Sequence, residues 1–273
     1  MSLSRLRSQL EYNSSASDLN IRLRKTPVVL SDSKARNLRD EVARGIEKDI
    51  VWWYKGGATT EKQYDFLCDN LEIKLHRYPN IVLYLWLGTC DLTVKQHDEL
   101  IELKSRDKSS ANDLIKQFRD IYTFLRGFST VEPVLLELPP YSIYEYNKHK
   151  GREDTKYRDD DKILHEHIRI VNTFVRETNL IYRRESPRFS LDIENCRRDR
   201  YMKPRYTFRF STFYYDGIHP ISELSRLWSL EKLSESFPGL CIEIGKNLNT
   251  AETQHCVIFD CFNKDFMYKY SRL

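Results

Sequence analysis

Three residues far apart in the sequence have the types that acyl-transfer chemistry requires. Ser33 follows the apolar run Val28–Leu30, and Asp216 precedes His219 by three residues. A serine nucleophile needs a histidine that removes its proton and a carboxylate that orients the imidazole. The sequence therefore contains the minimal set for serine-dependent acyl transfer, with Ser33, His219 and Asp216 in those three roles.

Each of these residues also has an ordinary structural explanation. Ser31 or Ser33 would be a suitable N-cap for the helix that Ala35 and Leu38 indicate. The D-x-x-H pattern is a weak signal by itself, and a histidine followed by proline also fits a structural turn. The functional interpretation rests on the order of the segments along the chain, because the polar segments follow predicted strands.

Alternating strand and helix patterns would position these residues at one edge of a sheet. Apolar runs predict strands at residues 28–30, 49–54, 81–87 and 133–138, and an apolar stripe predicts a helix after each strand. The run at 81–87 is apolar throughout, which is typical of a strand covered on both faces. The pattern predicts a three-layer α/β/α sandwich of flavodoxin-like layout with a mainly parallel central sheet. Ligand sites in such sheets lie at the carboxyl ends of the strands.

Composition narrows the class of protein. With 273 residues, the chain can bury a substantial core, and its net charge of +4 gives no overall signal for polyanion binding. It contains nine glycines and no glycine-rich nucleotide motif. Its six cysteines lack C-x-x-C spacing, so we expect free thiols and neither a metal site nor a cofactor. No apolar run reaches 18 residues, and we expect a cytoplasmic protein without a membrane span.

The segments that follow the predicted strands also carry a family resemblance. Ser31-Asp32-Ser33 resembles a G-D-S block, and Gly88-Thr89-Cys90-Asp91 resembles a G-x-N-D block. Asp216 and His219 match a D-x-x-H block. Over residues 27–230 the chain therefore resembles the SGNH (GDSL-type) hydrolases.

This resemblance implies an esterase or related acyl hydrolase that acts on a small ester or acylated substrate without a cofactor. It implies oxyanion-hole donors at the backbone N–H groups of Ser33 and of Gly56 or Gly57, of which we choose Gly57. Cys90 stands where the family has an asparagine whose amide donates to the oxyanion, and a thiol is only a weak donor. Cys90 has two other interpretations: it is a nucleophile in its own right, or it is a plain buried thiol. Candidate substrate contacts are Gly56, Asp91 and Tyr215.

A looser similarity is to the esterase-like domains carried by some invertebrate transposable elements. It rests on Trp52–Gly57, Gly88–Thr93 and Leu138–Ser142 taken together. Such relatives would imply a lipid or acyl-ester substrate, or a role beside the nucleic acid of the element.

The segment Arg183–Arg209 supports an alternative function. It holds nine basic and four acidic residues, and its interleaved aromatic residues would stack on bases while the basic residues contact phosphates. The alternative is a catalytically weakened SGNH-like domain that binds nucleic acid or serves in assembly, and a solvated surface loop explains the same composition. The basic candidates are Arg197, Arg198, Arg200, Lys203 and Arg205.

We divide the chain into a polar basic segment at 1–26, a hydrolase-like domain at 27–235 and a C-terminal extension at 236–273. Residues 141–161 are rich in tyrosine and charge, which predicts an exposed loop or lid. Short strand patterns at 241–244 and 256–259 would extend the sheet, cover an edge or form a homo-oligomer through the extension.

Overall fold

A computed structural model gives the architecture of most of the chain. The structure describes residues 2–14, 21–22, 24–41, 48–184, 186–198, 201–202, 204–229 and 243–244. The strands in these ranges are β1 (Ile21–Arg22), β2 (Thr26–Ser31), β3 (Val51–Tyr54), β4 (Ile81–Trp86), β5 (Thr93–Lys95), β6 (Ile101–Leu103), β7 (Val131–Leu135), β8 (Glu194–Arg198), β9 (Pro204–Phe208) and β10 (Glu243–Ile244). The helices are α1 (Leu3–Ser14), α2 (Lys34–Glu41), α3 (Thr60–Arg77), α4 (Thr89–Leu92), α5 (Ser109–Leu125), α6 (Ile143–His149), α7 (Lys156–Ile181), α8 (Ser190–Ile193), α9 (Phe210–Phe213) and α10 (Ser222–Leu227).

The central sheet has four parallel strands in the order β3-β2-β4-β7. The apolar strands β2 and β4 occupy the middle, and every residue of β4 is buried. A middle strand needs apolar side chains on both faces, which explains why its sequence does not alternate between apolar and polar residues. The predicted α/β fold with a mainly parallel sheet is confirmed.

One face of the sheet packs against α3, α5 and α7. Val28 and Leu30 of β2 point into this layer together with Leu83 and Leu85 of β4. The spacing of two residues is that of side chains on one face of a strand. The helical residues in the same core include Leu67, Leu71, Leu114, Phe118, Ile121, Leu164, Ile168, Val171 and Val175.

The other face packs against α1, α2 and α10. Val29, Tyr84 and Trp86 occupy the alternate positions of their strands and belong to this second core. Its helical residues include Leu6, Leu10, Leu38, Leu224 and Leu227. The two cores on opposite faces make the three layers of the predicted sandwich.

The N-terminal segment contributes to the second core. Polar and basic residues dominate it, but Leu6 and Leu10 lie four residues apart in α1 and both are buried. A leucine spacing of four places both side chains on one face of the helix. Arg7 on another face forms an ion pair with Glu223 of α10 at 2.9 Å.

The segment predicted as an exposed loop or lid is largely helical and partly buried. Tyr141, Ile143 and Tyr144 are buried, α6 covers residues 143–149, and α7 begins at Lys156. The prediction was wrong here because the charged residues that follow α6 suggested exposure of the whole segment. Burial of the tyrosine rings against the sheet-facing core decides the local structure instead.

The C-terminal extension contributes one short strand to the described structure. β10 pairs antiparallel with β1 in a separate two-stranded sheet. The predicted strand at 256–259 lies outside the described residues. Among the described helices, none has the length and apolar composition that crossing a membrane requires.

Candidate active site

The parallel strands bring three predicted site segments to one edge of the sheet. Ser31, the last residue of β2, is in register with Tyr54 of β3 and with Trp86 of β4. All three strands therefore end at the same level. The turn with Ser33 follows β2, the turn with Gly57 follows β3, and α4 follows β4.

A chain of hydrogen-bonding distances connects Ser33, His219 and Asp216. The Oγ of Ser33 lies 3.1 Å from Nε2 of His219. The Nδ1 atom of the same imidazole lies 2.7 Å from Oδ2 of Asp216. The backbone N–H groups of Ile218 and His219 donate to Oδ1 of Asp216 at 2.9 and 2.8 Å. The structure thus brings together the three residues that the sequence singled out.

The ionisation of Asp216 determines which nitrogen of His219 carries a proton. Burial alone would raise the pKa of this carboxyl, but hydrogen bonds from the His219 side chain and from two backbone N–H groups hold the pKa below its ordinary value. An ionised carboxylate only accepts hydrogen bonds, so Nδ1 of His219 must be the donor. Nε2 then directs its lone pair towards Ser33 Oγ, as a general base requires.

The neighbours of Ser33 have other hydrogen-bond partners. Ser31 Oγ donates to the carbonyl of Trp86 at 2.8 Å. The Oδ1 atom of Asp32 accepts the backbone N–H of Lys34 at 3.0 Å, so Asp32 provides the side-chain acceptor at the start of α2. Ser33 therefore supplies the hydroxyl at His219, while Asp32 takes the capping role that the sequence left open for a serine.

The Gly56–Gly57 turn leaves open space beside the site. Gly57 has a φ of +69°, a conformation that suits glycine. A Cβ atom at either Gly56 or Gly57 would meet no atom within 4 Å. Both residues are exposed, so a substrate can approach the backbone of this turn closely.

Cys90 lies next to the charges that flank the serine. Burial raises the pKa of its thiol to about 12, and the charge of Asp32 adds to the effect while Lys34 opposes it. A thiol with this pKa stays protonated at neutral pH and does not provide the thiolate that a cysteine nucleophile needs. This environment does not favour Cys90 as the nucleophile.

Two of the candidate substrate contacts have different surroundings. Asp91 is buried, and its oxygens accept the N–H and the hydroxyl of Thr60 at 3.1 and 2.8 Å, which ties α4 to the start of α3. Tyr215 is 52% exposed, and its ring stacks on the imidazole of His219 with centroids 5.5 Å apart. Tyr215 is thus available to a ligand, whereas Asp91 is held inside the protein.

The loop with His219 is anchored by residues that sequence reasoning missed. Ser142, at the N-cap of α6, donates its backbone N–H to the carbonyl of Gly217 at 2.9 Å. Its hydroxyl donates to Asp161 at 2.6 Å, and Asp161 also accepts the N–H of Ile143 at 2.6 Å. Burial raises the pKa of Asp161 to about 6 despite these hydrogen bonds.

The raised pKa of Asp161 predicts a pH-dependent stability. In the unfolded chain the carboxyl ionises near its ordinary pKa of 3.8, whereas in the folded chain it does so near 6. The folded state therefore binds the proton more tightly, and stability falls as the pH rises from about 4 to about 6, by at most about 3 kcal/mol before solvent screening. We expect Asp161→Asn to flatten this part of the curve. Urea unfolding between pH 4 and pH 7 measures it, and an unchanged slope in the variant would refute the assignment.

Part of the basic segment forms an antiparallel hairpin of β8 and β9. In this pairing Arg197 of β8 is in register with Arg205 of β9, and Arg198 is exposed. Arg200 and Lys203 lie outside the described residues. Binding of nucleic acid through this segment stays a prediction. In the described part of the chain, no group of three or more His, Cys, Asp or Glu side chains is placed to hold a metal ion.

Comparison with solved structures finds proteins of similar architecture. A lipase from a goat rumen metagenome aligns with a TM-score of 0.50 at 12% sequence identity, over 78% of this chain and 97% of the lipase. The chain shares the α/β fold of this lipase. A GDSL-like lipase from Bacteroides thetaiotaomicron aligns at 10% identity over 83% of this chain and 94% of the lipase, with a TM-score of 0.49. No protein-family model matches the sequence, and no curated protein matches it either.

Proposed function

We propose that the protein is a serine-dependent hydrolase of carboxylic esters or related acyl compounds. The observation that carries the proposal is the series of contacts from Ser33 Oγ to His219 Nε2 at 3.1 Å and from His219 Nδ1 to Asp216 at 2.7 Å. Residues that are 186 positions apart in the sequence meet at the carboxyl edge of the sheet, where ligands bind in folds of this class. The resemblance of the motifs to those of SGNH hydrolases and the fold shared with a lipase support the same reaction class by analogy.

In the proposed first half-reaction, Ser33 Oγ attacks the carbonyl carbon of the ester. His219 Nε2 takes the hydroxyl proton as the new C–O bond forms, and Asp216 stabilises the resulting imidazolium. His219 then returns the proton to the departing alcohol, which leaves an acyl group on Ser33. A water molecule, activated by the same imidazole, hydrolyses the acyl-enzyme and regenerates the serine hydroxyl.

The negative charge on the substrate oxygen needs donors in this mechanism. The backbone N–H of Ser33 lies at the start of α2, where the helix dipole also favours an anion. The N–H of Gly57 is the second proposed donor, in a turn with open space on its surface. Cys90 would stand beside the oxyanion as a weak donor.

Hydrolysis of p-nitrophenyl acetate and butyrate tests the proposed reaction class. We expect the protein to hydrolyse these esters. We also expect a fluorophosphonate to abolish hydrolysis in proportion to the fraction of protein labelled, because the reagent reacts with a serine that a neighbouring base activates. Full labelling should leave no hydrolysis above the buffer rate. Hydrolysis that persists in the fully labelled protein, or an absence of both turnover and labelling, would argue against the proposal.

A further inference from the structure

A buried lysine directly follows the proposed nucleophile. The side chain of Lys34 is 2% exposed, and its Nζ atom lies 2.5 Å from Oδ2 of Asp32, whose side chain is 1% exposed. The same ammonium donates a hydrogen bond to the hydroxyl of Thr89, the first residue of α4. It also lies 5.6 Å from the ring centroid of Trp86.

An ammonium group in this place has a cost that its partners must offset. Removing a charge from water costs several kcal/mol, and a buried ion pair often contributes no more to stability than apolar residues of similar volume. Lys34 precedes Leu38 by four residues in the buried stripe of α2, a position that usually holds an apolar residue. Stability therefore gives no clear reason for an ion pair of Asp32 and Lys34 in place of two uncharged residues.

The contacts of Lys34 connect two segments of the proposed site. Asp32 belongs to the turn that carries Ser33, and Thr89 begins the helix that carries Cys90. Thr89 is fixed from its other side, because its carbonyl accepts hydrogen bonds from Tyr141 at 3.0 Å and from Thr93 at 3.1 Å. The ammonium thus fastens the serine turn to a residue that the core already holds.

We propose that Lys34 is a positioning residue of the hydrolytic reaction, which acts by clamping the Ser33 turn to Thr89 at the start of α4. This inference rests on the proposed function. The clamp keeps the nucleophile at a fixed distance from the groups of α4 that face the oxyanion. A misplacement of about 1 Å in a catalytic arrangement costs about 10²-fold in rate, so a clamp of this kind has a measurable effect.

Geometry explains the role of Lys34 better than charge does. The ammonium lies 2.5 Å from the Asp32 carboxylate, so the two opposite charges largely cancel. The pair therefore does not present a net positive charge to the site. A direct electrostatic contribution to the oxyanion would need a positive charge without such a partner.

The test is a double-mutant cycle on ester hydrolysis. Thr89→Val removes the hydroxyl that accepts the lysine proton and leaves the ion pair in place. The paired variant Asp32→Asn with Lys34→Met removes both charges together, which avoids the unpaired buried carboxylate that Lys34→Met alone would leave. An asparagine at position 32 still offers an oxygen to the backbone N–H of residue 34.

We expect Thr89→Val to lower kcat by about 10- to 100-fold with KM changed less than about twofold. In the background of the paired variant, the same substitution should cause no further loss, because the hydrogen bond is already absent. Circular dichroism and thermal unfolding establish that each variant is folded. A wild-type kcat in Thr89→Val, or an equal loss in both backgrounds, would overturn the clamp.

A parallel labelling reaction separates the two proposals. If the wild-type protein reacts with a fluorophosphonate and the folded Thr89→Val variant reacts at the same rate, the clamp fails while the serine hydrolase stands. If the wild-type protein neither reacts nor hydrolyses esters, the proposed function fails and the clamp fails with it. A slowed reaction of the Thr89→Val variant with full final labelling supports both.

Discussion

Replacing Ser33 with alanine is expected to lower kcat for ester hydrolysis by about 10⁴- to 10⁶-fold. The Oγ atom that faces His219 Nε2 at 3.1 Å is the only atom removed, and the reaction loses its nucleophile. Residues of a triad act as a unit, so adding His219→Ala to Ser33→Ala should cause little further loss. Steady-state kinetics with p-nitrophenyl butyrate measure both variants.

Ser31→Ala is the matched control for this prediction. Ser31 lies two residues away in the same motif, but its buried hydroxyl donates to the carbonyl of Trp86 and not to the imidazole. Its loss costs a hydrogen bond worth about 1 kcal/mol of stability and should leave most of the activity. Equal losses from the two substitutions would show that the motif serves the fold and not the reaction.

Replacing Cys90 with asparagine is expected to raise kcat, in the limit by about 10²- to 10³-fold. That range is what the loss of one oxyanion-hole donor typically costs, and a side-chain amide donates far better than a thiol. The substitution places the donor on α4, where the family resemblance expects it. The comparison is most direct as kcat for p-nitrophenyl acetate in the two proteins.

Cys90→Ala separates a donor effect from a change in packing. The thiol, with a pKa of about 12, is a weak donor, so its removal should change kcat by less than about threefold. A large loss in Cys90→Ala would assign a direct role to sulfur. An equal gain in kcat in the alanine and asparagine variants would indicate that the smaller or reshaped side chain relieves a steric clash. An unchanged kcat in Cys90→Asn would show that the oxyanion does not bind next to position 90.

The fold was predictable where the sequence has unambiguous periodicity. Ile81–Trp86 is apolar at every position, which is typical of a strand covered on both faces, and the structure has such a strand there. Residues 141–149 were not predictable in the same way. Tyr141 and Tyr144 are amphipathic side chains whose burial depends on contacts with distant residues, and local composition does not report those contacts.

The catalytic residues of the proposed site were predictable from the sequence, but the residues that hold them in place were not. Ser33 stands directly after a predicted strand, at the edge of the sheet where ligand sites lie, and Asp216 and His219 stand in the spacing of a recognisable motif. Lys34 was missed because charged residues are ordinarily exposed, and its burial depends on Asp32 and Thr89. Its place in the stripe of Leu38 was the available signal. No comparable pattern marks Asp161, whose partners on α6 follow from tertiary packing.

The most direct test of a reactive serine is the site of covalent modification. The wild-type protein would be treated with a fluorophosphonate at neutral pH. Its intact mass would be measured by mass spectrometry, and a digest would be mapped to locate the modified residue. We predict one adduct per chain, on Ser33, and no adduct in the Ser33→Ala variant. Absence of an adduct, or an adduct on any other residue, would contradict the assignment of Ser33 as the nucleophile.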